Sequence, residues 1–264
     1  RQRILLPLYQ DPPLIGRTQI LDDLWQYAHR TCLTQKAHVV LLVGPKGVGK
    51  TRIMANVARR LERKGLMSRL LLRYHQVPSE DDGYHGAIRE LLSPIESDAE
   101  SFKNRIQRYL SRMYGIPIRD TADEAAAITR WCGFESGGTV NSATGLLLLY
   151  QWLRCYAWRG GVCLTLDHPQ RSVVAGDGLD ICEALLSESV GCIPAFVMAT
   201  VSTEDIVRNP ALQQRIDLLC AQGAQCIHVP CLKDADVIHL AEEAYGLSVD
   251  NWRPVTLFCA GMPS

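Results

Sequence analysis

The run Gly44-Pro45-Lys46-Gly47-Val48-Gly49-Lys50-Thr51 has the spacing G-x-x-x-x-G-K-T. Its residue types suit the holding of phosphate oxygens. Glycines let a backbone curl with its amide hydrogens facing inward, a conformation that side chains would obstruct. Lys50 can bring an ammonium to the β- and γ-phosphates of ATP or ADP, and the Thr51 hydroxyl is a hard oxygen ligand for a magnesium ion bridging them. With Arg52 in the next turn, residues 44 to 52 make one candidate nucleotide-binding stretch.

A second carboxylate ligand for magnesium belongs at the tip of a neighbouring strand. Asp167 ends the apolar run Val162-Cys163-Leu164-Thr165-Leu166 and has the Walker B pattern. His168 follows, where a second carboxylate would orient the attacking water. A neutral imidazole can accept a proton, but Pro169 restricts the backbone of His168 towards extended conformations, and no partner for the ring is evident. A general base and a plain loop histidine both stay open. The candidate catalytic residues are Lys50, Asp167 and His168.

The elements that must position these residues are legible around them. His38 to Val43 is a β-branched apolar run without alternation, as in a strand buried on both faces of a parallel sheet. It leads into the glycine-rich turn. Ile53, Met54, Val57, Ala58 and Leu61 then mark one face of a helix stopping near Gly65. The Arg59-to-Lys64 charge cluster falls at its end, where cations complement the helix dipole. Further strands are predicted at Leu70–Tyr74, Val162–Leu166, Ala195–Val201 and, more weakly, Cys226–Val229. A short helix is predicted from Ile20 to about Arg30, and another from Asp234. Strands alternating with helices predict an α/β fold, a parallel sheet covered on both faces. Residues 77 to 160 read mainly as helices, broken around Pro78–Gly83, Gly115–Pro117 and Gly133–Ser142. The division expected is a nucleotide-binding core over 1–232 and the start of a helical, lid-like subdomain over 233–264.

Composition bounds the function. The 264 residues are 47% hydrophobic and 21% charged, ordinary for a folded globular chain. Lysine plus arginine (28) balance aspartate plus glutamate (28), so no net field draws the chain to nucleic acid or an anionic membrane, and neither partner is indicated. The strongest apolar run, Gly145 to Trp158, is broken by Gln151 and Arg154 and too short to span a bilayer. The 10 cysteines form no C-x-x-C pair. Cys155, Cys163, Cys182, Cys192, Cys220 and Cys259 sit in apolar segments and read as small buried hydrophobes, while Cys226 and Cys231 have no histidine at zinc spacing. A reduced, cytoplasmic setting is expected. The chain begins without methionine and is expected to be a piece of a longer polypeptide.

Several separated features resemble the STAND branch of the AAA+ ATPases, signal-transduction ATPases with an ASCE-like P-loop sheet. Leu14-Ile15-Gly16-Arg17-Thr18-Gln19-Ile20-Leu21 is similar to the family's hydrophobic-Gly-Arg-Glu motif, with Thr18 where glutamate is usual. The resemblance implies that Ile15, Gly16 and Arg17 contact the adenine side. Gly261-Met262-Pro263 is similar to the family's Gly-x-Pro motif, which implies that Pro263 closes over the base. The resemblance also implies a nucleotide-controlled switch with slow hydrolysis, sensor and effector regions elsewhere in the polypeptide, and a homo-oligomer in the ATP state. Three departures stand against it. His168 replaces an acid, Ser202-Thr203-Glu204 follows the fourth strand where an arginine often sits, and Arg208 and Arg215, the candidates for an arginine finger, read as solvated helix charges. They leave a degenerate, non-hydrolysing scaffold as the alternative; a nucleic-acid motor is disfavoured by the zero net charge.

Overall fold

The computed structural model describes residues 14–77, 98–131, 160–172, 178–187 and 192–245, with isolated positions between 79 and 87 and between 150 and 157. Five parallel strands form its sheet: β1 (His38–Gly44), β2 (Ser68–Arg73), β3 (Val162–Asp167), β4 (Ala195–Ser202) and β5 (Gln225–His228), in the order β2-β3-β4-β1-β5. The α/β expectation is met. β4 lies between β1 and β3, and all eight of its residues are buried.

The absence of alternation in β1 has a direct cause. Val39, Leu41 and Val43 pack into one core with Val197, Ala199 and Val201 of β4, while Val40 and Leu42 pack on the opposite face with Phe196 and Met198. Each face is covered by helices. On one side lie α1 (Thr18–Thr34) and α2 (Lys50–Arg63), contributing Leu21, Leu24, Ala28, Ile53, Met54, Val57 and Leu61. On the other lie α3 (Ala99–Tyr114), α4 (Ala122–Trp131), α5 (Leu179–Leu186) and α7 (Pro210–Ala221), the last preceded by the short α6 (Thr203–Arg208). α8 (Asp234–Tyr245) follows β5. Full burial of one such aliphatic side chain contributes about 1.5–3 kcal/mol, so the two cores together fix the register that aligns the strand ends.

That register brings the chemistry to one edge. Asp167 pairs with Thr200, and Gly44 with Ser202. All four stand at carboxyl ends, where ligands of open α/β sheets bind.

Local details refine the sequence reading. α1 runs well past Arg30, and α2 ends at the expected glycine: Gly65 has φ 66°, and its N–H and that of Leu66 bond back to Glu62 and Leu61. Lys64 sits over the Trp25 ring at 4.7 Å and Arg69 approaches Glu62 at 3.6 Å, so the basic cluster is partly engaged. Within the long helical stretch, α3 stops at Gly115, which takes φ 66°. Cys163 and Cys182 are buried as expected, but Cys192 is exposed and Cys220 only half-buried. Cys192 lies in the turn before β4, outside the packed layers. Cys155 and Cys259 fall outside the described residues, as do residues 246–264 with Gly261-Met262-Pro263. Among the described residues no helix is long and apolar enough to cross a membrane.

Candidate functional site

The loop between β1 and α2 is shaped by its glycines in two different ways. Gly47 (φ 79°) and Gly49 (φ 95°) occupy the left-handed region, as the curl of an anion-binding loop demands. Gly44 does not. Its constraint is space: a Cβ there would lie 2.4 Å from the Val229 carbonyl oxygen. Gly44→Ala is therefore expected to push β1 from the segment after β5 and destabilise the fold by about 1–3 kcal/mol, measured by denaturant unfolding. An unchanged midpoint would contradict this packing.

Gly49 caps α2, which makes Lys50, Thr51 and Arg52 the first helical turn, with its amide-rich positive end at the loop. Lys50 is only 4% exposed, and its Nζ donates to the carbonyls of Gly44 (2.8 Å) and Pro45 (2.7 Å). Burial pushes its pKa down, while Glu204, Asp167 and Asp205 favour the charged form.

Opposite the lysine, one oxygen of Asp167 accepts from two hydroxyls, Thr51 Oγ1 and Thr200 Oγ1, each at 2.8 Å. Thr200 also accepts from the His168 N–H at 3.0 Å. Asp167 and the Thr51 hydroxyl are adjacent oxygen donors, the hard donor set that magnesium takes along with water and phosphate oxygens. The residues present fit that ion.

His168 departs from the sequence reading. Instead of an extended backbone it has φ 61° and ψ 49°. A left-handed residue before proline is costly. It is held by its N–H bond to Thr200 and by the turn Pro169–Arg171, in which the Arg171 N–H returns to the His168 carbonyl at 3.0 Å. The ring also has partners. Nδ1 lies 3.5 Å from Gln170 Nε2 and Nε2 lies 3.9 Å from Asp167 Oδ1. Burial lowers its pKa, with Asp167 acting in the opposite direction. Gln170 Nε2 donates to Asp205 Oδ2 at 2.8 Å. Because a carboxylate only accepts, this fixes the amide orientation and directs its second hydrogen towards His168 Nδ1. That contact favours the tautomer with the imidazole proton on Nε2, on the side of Asp167.

The mouth of the loop is acidic. Lys46 Nζ pairs with Asp205 at 2.9 Å, and the Lys46 N–H reaches both oxygens of Glu204 at 3.1 and 3.2 Å. Sequence reading missed Thr200, Gln170, Glu204 and Asp205 as site residues. A signal for Thr200 existed, since Thr200 and Ser202 are polar residues at the carboxyl end of an otherwise apolar strand.

The N-terminal motif braces the loop from behind. Arg17 is 4% exposed; its guanidinium donates to the carbonyls of Val48 (3.1 Å) and Pro230 (2.7 Å). Burial lowers its pKa, with Asp236 of α8 acting in the opposite direction. Gly16 takes φ 69° where a Cβ would meet the Asp236 carboxylate at 2.5 Å. Ile15 is half-buried beside them. Arg208 is exposed, but Arg215 is no solvated charge: it is ion-paired to Asp180 and, at 2.7 Å, to Glu183. It ties α7 to α5, because both helices cover the same sheet face.

The sequence matches the AAA ATPase domain family over residues 13–189. No curated protein matches it. Among solved structures, the ORC2 protein of Aeropyrum pernix, in ADPNP-ADP complexes, is similar with TM-score 0.52 at 14% identity, over 94% of this chain and 56% of that one. Cdc6p of Pyrobaculum aerophilum gives TM-score 0.48 at 14% identity, over 91% of this chain and 52% of that one. Drosophila ORC bound to AT-rich DNA and Cdc6 gives TM-score 0.43 at 11% identity, over 87% of this chain and 31% of that one. The chain thus spans little more than half the length of the archaeal proteins it resembles.

Proposed function

The chain belongs to the AAA ATPase domain family, and on that premise we propose that it binds ATP and ADP at Gly44–Arg52 and acts as a slowly hydrolysing, nucleotide-controlled switch of the STAND type. The observation that carries the reading is the single Asp167 oxygen held by Thr51 and Thr200 opposite the buried Lys50. Loop amides and the α2 N-terminus bind phosphate oxygens, and Lys50 exchanges its carbonyl partners for phosphate. Thr200 fixes the rotamer of Asp167. Thr51 and Asp167 would hold magnesium, which would supply charge neutralisation at the outer phosphates.

Arg17 links the loop to the segment after β5 and, through Asp236, to α8. That linkage supports a core over 1–232 working against a helical subdomain that begins near 233. Ile15, Gly16 and Pro263 flank the adenine in this reading. Exchange of ADP for ATP shifts the arrangement because its two states bind the nucleotides with different affinity. Sensor and effector regions of the same polypeptide and a homo-oligomer in the ATP state complete the proposal. A second reading, a P-loop scaffold that binds without turnover, is favoured by His168 in place of an acid and by Glu204 and Asp205 after β4.

Turnover assays separate these. Slow ATP hydrolysis unaffected by DNA supports the switch, no hydrolysis with retained binding supports the scaffold, and DNA-stimulated hydrolysis contradicts both. Thr51→Ala and Asp167→Ala are expected to make nucleotide affinity less dependent on magnesium. Wild-type magnesium dependence in both variants would remove these two residues from the metal site.

A further inference from the structure

Two carboxylates stand where a phosphate loop needs none. Glu204 and Asp205 stand in the first turn of α6, whose N-cap Ser202 ends β4 and pairs in register with Gly44. Ser202 caps the turn by accepting from the Asp205 N–H at 3.2 Å, so the direction of both acids is set by the strand end. Glu204 places both oxygens on the Lys46 N–H, and Asp205 holds the Lys46 ammonium. Glu204 thus sets an anionic group on a backbone amide of the loop itself. Burial works against ionisation of Asp205, yet hydrogen bonds from Lys46, Gln170 and Ser202 hold its pKa down to about 2. Glu204 also lies below the usual range: the little burial it has opposes this, but its own backbone and Lys46 N–H groups and the Lys50 and Lys46 charges outweigh it. Both are therefore charged at neutral pH. Among the charges around Lys50, Glu204 acts on it most strongly, and Lys50 is the side chain that reaches the outer phosphates in loops of this type.

We propose that Glu204 is an intramolecular competitor for the outermost phosphate, so that the site prefers nucleoside diphosphate and admits triphosphate only when Glu204 leaves the Lys46 N–H. The proposal rests on the nucleotide-binding reading above and sets its ligand preference. A third phosphate brings more negative charge beside Asp167, Glu204 and Asp205, against the ammoniums of Lys46 and Lys50. A diphosphate leaves the Glu204–Lys46 contact in place. Release of Glu204 removes one of the two contacts between α6 and the loop and leaves the Asp205–Lys46 pair, which gives the two nucleotide states different protein contacts and hence a basis for switching.

Equilibrium titrations with ADP and with ADPNP, in magnesium at fixed ionic strength, test this on the wild type, Glu204→Gln and Glu204→Ala, with circular dichroism confirming the fold of each. The wild type is expected to bind ADP more tightly. Removal of the charge in either variant is expected to tighten ADPNP binding about tenfold while moving ADP by about twofold or less. An ADP-to-ADPNP affinity ratio unchanged in both variants overturns the inference while leaving nucleotide binding intact. A folded wild type that binds neither nucleotide overturns the nucleotide-binding reading and the inference with it.

Discussion

Lys50→Ala is expected to weaken ADP and ATP binding by about a hundredfold while leaving the fold intact. The ammonium is a charge-assisted donor in a water-poor position, and such bonds contribute about 1.5–3 kcal/mol each, where about 1.4 kcal/mol is a factor of ten. Its partners here are the Gly44 and Pro45 carbonyls at the start of the loop. Substitution takes away those two contacts as well, so a modest loss in thermal midpoint accompanies the loss of affinity. Gly47 and Gly49 set the loop conformation independently of the side chain, and the curl survives. Titration with ADP at fixed magnesium, with an unfolding curve on the same sample, separates the two effects. Unchanged affinity in a folded variant would defeat the assignment of the loop.

The second large effect is expected in the chemical step. No carboxylate follows Asp167 to orient water, and a general base contributes about 10²–10⁴-fold in rate. His168 is poorly placed to substitute for one. Gln170 turns a hydrogen towards Nδ1 at 3.5 Å, an arrangement that favours the proton on Nε2 and hence a donor on the side of Asp167. Single-turnover hydrolysis by the wild type is thus expected to be slow and His168→Ala to change it little. His168→Glu is expected to raise it by about a hundredfold. The left-handed backbone suits a glutamate less well than the histidine, which is among the non-glycine residues enriched at positive φ, so an unfolding curve on the same variant accompanies the rate measurement. A large loss in the alanine variant would make His168 itself catalytic. Equal rates in all three would place the limit elsewhere, in a partner subunit or another segment.

How much of this was legible in the sequence depended on whether a residue acts locally. The Gly44–Thr51 loop was legible because strand, turn and helix are contiguous and each leaves its own pattern. Asp167 was legible because it ends an apolar run. The backbone of His168 was not: a proline after it argues for extended geometry, and the left-handed turn is held by a tertiary bond from its N–H to Thr200 together with the local Arg171 N–H bond to its carbonyl. Arg215 reads as a surface charge on its helix because its partners Asp180 and Glu183 come from a helix more than thirty residues earlier. Gly44 shows the same limit at smaller scale. Its glycine was legible as part of the motif, but the reason for it, the Val229 carbonyl, belongs to a strand end far along the chain. The strand order, with β4 inserted between the two motif-bearing strands, carries Thr200 to Asp167 and Glu204 to Lys46. No spacing within one segment encodes either contact.

One nucleotide is expected to bind at Gly44–Arg52. Equilibrium dialysis of the folded chain against radiolabelled ADP in magnesium, after acid extraction and chromatography of any nucleotide that co-purifies, tests it most directly. Saturable binding of one ADP per chain is expected, counting extracted and added nucleotide together, displaced by unlabelled ATP and weakened about a hundredfold in Lys50→Ala. Folded wild-type protein that yields no nucleotide on extraction and takes up no ADP at saturating concentration would contradict it.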